Sequence, residues 1–261
     1  MTLLAAGLAT SVCAPRRLTL PTGPASPRPD ASMLFEQATA ACRGVRTMTA
    51  ELNLSGRAAG QRLRGRVQVG LVAPAAVYLE APSPFGAAGF ILAAQNERGR
   101  LLLPRDRVVV DDAPVSDILQ ALTGLELGPS DLRALLTGCV APDPVPQMGR
   151  EYEGGWVAVD LQGGSVAWLR QPDGVWRVMA GEHAKLVAAY ASYGVGPGGT
   201  PRDLRVRSIA GSTAEVDLRV ELSQVEVNVP LDPATFKVDV PPGTRAITAD
   251  ELRSHGPLSQ P

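Results

Sequence analysis

The chain has 261 residues, with 25 Lys and Arg against 26 Asp and Glu, a formal charge of −1 and 45% hydrophobic residues. So even a balance lacks the basic footprint of a nucleic-acid-binding protein, and the apolar content is too high for a disordered chain. Behind the N-terminus the longest apolar run, residues 86–94, is half of the roughly 18 residues a membrane helix requires, so the chain reads as anchored to a membrane without spanning it.

Residues 1–12 (MTLLAAGLATSV) are apolar and lead to Cys13, and residues 14–31 contain five prolines. This is the layout of an export signal whose cleavage exposes Cys13 for attachment of a diacylglycerol. The expected organisation is a signal peptide over 1–12, a lipidated N-terminus and proline-rich tether over 13–31, one folded domain over 32–245 and a C-terminal tail over 246–261. The run has no Lys or Arg, and Val12 stands where the bacterial lipobox favours Gly or Ala. An ordinary secretory leader, or a frayed terminus with a chance cysteine, is the alternative.

With Cys13 acylated, Cys42 and Cys139 are left over. In an exported protein they either form a disulfide or stay as two buried thiols. A disulfide closing so long a loop would contribute about 4 kcal/mol in the chain-entropy model.

In chain order, Asp30 or Ser32 can cap a helix running to about Gly44, with Met33, Leu34, Ala38 and Ala41 on its apolar face. Ala50, Leu52 and Leu54, then Val67, Val69 and Leu71, alternate with polar residues on either side of the turn AAGQ, which predicts a β-hairpin. Arg57, Arg62, Arg64 and Arg66 cluster on that hairpin and read as a solvated face, an anion site being the alternative. Strands follow near 75–81, 88–96, 100–103 and 107–111.

Residues 114–123 and 129–137 form two short helices, each opening on proline and closing before Gly124 and Gly138. Their leucines must cover an apolar surface that the sheet presents. After the proline-rich loop 141–147, strands resume near 156–161, 165–170, 174–180 and 186–193. The strongest strand pattern is 214–222, with Val216, Leu218, Val220 and Leu222 facing one side. Its parity flips at Ser223 and Gln224, which implies a bulge.

The fold class is therefore mainly β (α+β): a single curved antiparallel sheet of about eleven strands forming a half-open barrel covered by short helices. With aromatic residues at 4%, its interior is either an apolar cavity or plugged by the helices. Alternation places Leu52, Leu54, Val67, Val69, Val77, Leu79, Phe90, Leu92, Val216, Leu218 and Val220 on the cavity side, and a one-residue slip would reverse the assignment.

Residues 79–138 resemble the bacterial outer-membrane lipoprotein receptor family LolB. The likeness is carried by Ser83-Pro84-Phe85-Gly86 after a strand, by Leu122-Thr123-Gly124, and by Leu132, Leu135, Leu136 and Gly138. The closing segment Phe236–Gly243 (FKVDVPPG) is similar to the final strand of that family and of the periplasmic carrier family LolA. The resemblance implies a half-barrel under a helical lid that takes up acyl chains of lipoproteins or lipids from a periplasmic carrier protein and releases them at the outer membrane. It implies a monomer anchored by lipid to the periplasmic face of that membrane. It also implies that the loop Pro84, Phe85, Gly86 assists insertion, unless Phe85 folds into the core.

Such transfer needs no catalyst, no cofactor and no metal. His183 and His255 are the only histidines and have no metal-ligand spacing; both are expected at the surface. The glycines at 194, 196, 198 and 199 read as a hairpin connection, since no helix follows to make a phosphate loop. The alternative to transfer is a structural lipoprotein with a filled core that scaffolds an envelope complex. A hydrolase would require a Ser, a His and a carboxylate to meet in one cleft.

Overall fold

The alternating segments become strands in a computed structural model that describes residues 18–58, 60–83, 88–194, 199–209, 211–212 and 215–255. The first half of the chain supplies β1 (Ser26–Pro27), α1 (Ala31–Arg43), β2 (Thr47–Ala58), β3 (Gln61–Val72), β4 (Ala76–Ala81), β5 (Phe90–Gln95), β6 (Arg98–Leu103) and β7 (Val108–Pro114). Then come α2 (Val115–Thr123), α3 (Pro129–Thr137), β8 (Pro146–Tyr152), β9 (Trp156–Leu161), β10 (Val166–Arg170), β11 (Arg177–His183) and β12 (Leu186–Tyr193). The chain continues through β13 (Pro201–Ser208), β14 (Val216–Val227), a 3-10 turn (Pro233–Phe236), β15 (Arg245–Ala246) and α4 (Ala249–His255).

The fifteen strands among the described residues join one curved, open sheet in the order β1-β8-β9-β10-β11-β12-β13-β14-β2-β3-β4-β5-β6-β7-β15. Every pairing is antiparallel except that of β15 with β7. The sheet thus has four strands more than expected. Two, β1 and β15, are two-residue edge pieces below the length at which alternation is readable. A third, β8, carries Pro146 at its start and Gly149 at its centre, residues that usually argue against a strand. Gly149 is required there because Ala31 of α1 sits on it: a Cβ would fall 2.0 Å from that of Ala31.

Helix α1 lies against β8–β11 on the concave face. Its buried side is Ala31, Leu34, Phe35, Thr39 and Cys42, whereas Met33 is 54% exposed; the expected apolar face was centred one residue too early. Asp30 stands at the N-cap position but does not cap, because Arg28 takes both of its carboxylate oxygens (2.6 and 3.0 Å). The bulge expected in β14 is present: pairing with β2 slips between Ser223 and Glu226, with Gln224 at φ 51°.

The two ends of the chain strap the outer, convex face. Leu18 and Leu20 pack on Trp156, Ala158, Trp168 and Ala180 of β9–β11, and β1 then pairs with β8. Residues 18–31, read as tether, are therefore part of the folded body. At the other end Phe236 is buried and Val238 packs with Ala93, Leu102 and Val109 on the outside of β4–β7. Phe236–Gly243 is accordingly not the final strand that the family resemblance implied but a strap of 3-10 turn and irregular chain. Residues 246–255, assigned to a tail, hold Ile247 and Leu252 in the core and set α4 against α2.

Candidate functional site

The concave face is closed by α1 at one end and by α2 and α3 at the other. Under α2 and α3 lies a cavity of about 230 Å³. Its floor and walls are the inner faces of β2 (Leu52, Leu54), β3 (Leu63, Gly65, Val67), β4 (Leu79, Ala81), β5 (Phe90), β13 (Val206) and β14 (Leu218, Val220). Its roof is Leu119, Leu122 and Thr123 of α2, Leu125 and Leu127 of the connection, and Leu132, Leu135 and Leu136 of α3. Larger surface grooves exist, but the one beside α2 is ringed by Gln61, Gln120, Glu126, Lys185 and Arg253 and offers no enclosed apolar wall.

Seven of the positions picked by alternation line this space: Leu52, Leu54, Val67, Leu79, Phe90, Leu218 and Val220. Val69, Val77, Leu92 and Val216 face the same side but are closed into the core outside the cavity. Leu63, Gly65, Ala81 and Val206 were missed, the last although Leu204 and Val206 alternate with Arg205 and Arg207, and so were Arg64 and Arg66, which border the space beside Gly65. The question of open or plugged has a divided answer, because lid leucines fill part of the interior and leave the rest.

At roughly 30 Å³ per water-sized group, 230 Å³ admits about eight methylene-sized groups. That is below the 300–1,000 Å³ typical of small-molecule pockets. It matches one segment of a single acyl chain.

Helix α3 is fastened at several points. Cys139, just beyond it, is bonded to Cys42 of α1, with Cα atoms 5.6 Å apart across a separation of 97 residues. The fully buried Tyr190 of β12 donates its hydroxyl to the Leu135 carbonyl (3.2 Å), and burial pushes that phenol up so that it remains a donor. Arg133 donates to the Pro74 carbonyl (3.1 Å). Val140 presses onto Gly181 of β11, where a Cβ would lie 2.7 Å from its methyl carbon.

A further fastening involves His183, which was expected at the surface and is half-buried. His183 Nε2 lies 2.7 Å from Asp131 Oδ1 on α3, and its Nδ1 lies 2.8 Å from Ser165 Oγ at the start of β10. With Nε2–H donating to the carboxylate, a neutral ring accepts the serine hydroxyl at Nδ1. Asp131 also accepts the Gly128 N–H at the head of α3 (2.9 Å). Burial raises its pKa, but the hydrogen bonds from His183 and Gly128 outweigh burial and hold the carboxyl below its ordinary value.

Ser165, His183 and Asp131 thus meet, as a hydrolase would require. Ser165 is only 5% exposed, and none of the three borders the apolar cavity. The chain of bonds joins lid helix to sheet, and no local motif announces a contact between residues 131 and 183. Among the described residues no three His, Cys, Asp or Glu side chains are grouped to hold a metal ion, and no helix is long and apolar enough to cross a membrane. Cys13 and the loop Pro84, Phe85, Gly86 lie outside the described residues.

No protein-family model matches the sequence, and no curated protein is similar to it at a significant level. Solved structures are similar in fold. A LolA superfamily protein from Nitrosomonas europaea superposes with a TM-score of 0.54 at 13% identity, covering 79% of this chain and 97% of that one. A DUF1329 family protein from Desulfovibrio piger gives 0.52 at 13% identity, covering 78% and 96%. The open antiparallel sheet of this chain is thus similar in fold to both of these structures.

Proposed function

We propose that the protein is a lipid-handling protein of the bacterial envelope that holds an acyl chain of a lipoprotein or lipid in the cavity beneath α2 and α3. The observation that carries this reading is the space itself: about 230 Å³ walled chiefly by leucine, valine and phenylalanine. Each methylene moved there from water gains about 0.8 kcal/mol, so some eight of them give useful yet reversible affinity. The LolA-like fold supports the reading.

In the fuller form of the proposal, Cys13 carries the lipid that tethers the domain to the periplasmic face of the outer membrane. A periplasmic carrier protein delivers cargo, and Phe85, between Pro84 and Gly86, enters the bilayer during release. Burying its ring contributes about 2–3 kcal/mol, small enough to be undone after each transfer. The mechanism uses burial and no bond chemistry.

Purification from native membranes followed by intact mass spectrometry tests both parts. Acyl chains on Cys13 together with a co-purifying lipid or lipopeptide are expected. An unacylated chain without ligand overturns the anchor and the transfer role, leaving the scaffold. Labelling of Ser165 by a fluorophosphonate would instead revive a hydrolase, the reading that the Ser165–His183–Asp131 contact favours.

A further inference from the structure

Among the described residues the two straps pack on β9–β11 and on β4–β7, at the ends of the convex face, and leave the outer side of the β2-β3 hairpin exposed at Arg57, Arg62, Arg64 and Arg66. The arginines of this part of the sheet differ in their pairing. On β13 and β14 Arg205 and Arg219 are neutralised, Arg205 by Asp217 (2.5 Å) and Arg219 by Asp203 and Glu221 (2.9 Å each), whereas the half-buried Arg202 and Arg207 have no ion pair among the described residues. On the neighbouring hairpin Arg57, Arg62, Arg64 and Arg66 are exposed, and none has an ion-pair partner among the described residues.

The register makes this costly. Arg62, Arg64 and Arg66 succeed one another on one face of β3 at about 7 Å intervals, and Arg57 lies directly opposite Arg62, with Asp217 of β14, already paired to Arg205, on its other side. Like charges so placed repel and destabilise the pairing. An anion seated among them would reverse the sign of that contribution.

The place of the array says which anion. β4 pairs with β3 only from Gln68 to Val72, so β3 has a free edge over Gln61–Val67 among the described residues. Along that edge the cavity-side residues Leu63 and Gly65 alternate with the arginines. A Cβ on Gly65, placed opposite Leu54, would meet nothing within 4 Å. Since α3 is fastened by a disulfide and several hydrogen bonds, this open strand edge is the way into the cavity. An acyl chain entering there leaves its polar end beside the guanidinium groups.

We infer that the cargo is an amphiphile with an anionic, phosphate-bearing headgroup, its acyl chain in the cavity and its phosphate held by Arg62, Arg64 and Arg66 with Arg57 alongside. The inference rests on the acyl-binding reading above and adds the headgroup to it. Guanidinium forks suit phosphate oxygens in pairs, and the site's exposure makes the preference sensitive to salt.

The test uses the purified full chain and monomeric amphiphiles of one acyl length, kept below micelle formation: lysophosphatidylglycerol, lysophosphatidylcholine and monoacylglycerol. Each displaces an uncharged fluorescent apolar probe. The wild type is expected to bind the anionic lipid at least tenfold tighter than the neutral one at low salt, and less than threefold tighter at 0.5 M salt. In Arg64→Glu/Arg66→Glu and in Arg57→Glu/Arg62→Glu the ratio falls to within twofold. Because the ratio is read within each variant, a folding defect lowers both affinities together and cannot imitate this result.

Equal affinities in the wild type overturn the headgroup inference while leaving acyl binding intact. Failure of every amphiphile to displace the probe overturns the acyl reading itself. A preference that survives both double variants removes the arginines from the site. Equal affinities for monomers, combined with arginine-dependent sedimentation on vesicles of 30% phosphatidylglycerol in phosphatidylcholine, overturn the inference by giving the arginines to a bilayer surface.

Discussion

Beneath α1 the concave face is solid, with Leu34, Phe35, Leu161, Leu169 and Val178 closed to solvent; beneath α2 and α3 the same face leaves about 230 Å³ unfilled. The cause is local. An aromatic ring and the contact of Ala31 with Gly149 let α1 settle close to the strands, whereas the lid offers no aromatic ring, only aliphatic side chains on two nine-residue helices. One half of the sheet thus supplies stability, which lets the other half leave apolar surface incompletely packed.

The sharpest way to separate the halves is Phe35→Ala. It should cost about 3–5 kcal/mol in urea unfolding, yet change the acyl affinity of the folded protein by less than twofold; a larger loss would show that the halves are one unit. Replacing Cys42 and Cys139 together by serine removes the covalent link between them. A loss of about 4 kcal/mol is expected, with hydrogen exchange rising first in α3. Gly65→Leu probes the other half by filling the cavity. Displacement of an apolar probe should weaken at least tenfold while the unfolding midpoint moves by less than about 1 kcal/mol.

Smaller effects test the lid's fastening. His183→Ala removes the bridge between Asp131 and Ser165 and should cost about 1 kcal/mol, seen as faster amide exchange confined to α3. Because the Asp131 carboxyl is held below its ordinary value, its contribution is present above about pH 4 and fades as pH falls through the folded-state value. Between pH 6 and 3 the wild type should therefore lose more stability than His183→Ala does. Parallel curves would remove Asp131 from the fastening.

Much of this contrast was readable from the chain. The β2-β3 hairpin, the bulge at Gln224 and both lid helices follow from period and punctuation, because each depends on residues adjacent in sequence. β8 was hidden since its glycine answers to α1, over a hundred residues earlier, and the strap at Phe236–Val238 was hidden since its two apolar residues pack on an outer face that alternation marks as wet. Cavity residues were legible as a face but not as a site: Val69 and Leu52 alternate alike, and only the position of the lid decides which meets empty space. The contact of His183 with Asp131 is set by topology and leaves no local trace.

The N-terminal strap changes the length of the leash. Because the chain is fixed to the sheet from Leu18 onward, only five residue steps separate Cys13 from the folded body, a reach of at most about 18 Å when fully extended. For a chain acylated at Cys13 the domain would ride directly on the lipid headgroups, unable to cross the periplasm, and cargo would have to be brought to it. In such a chain a longer reach would need Leu18 and Leu20 to peel from Trp156 and Trp168, and the outer tryptophan cluster would act as a reel whose grip sets the distance from the membrane.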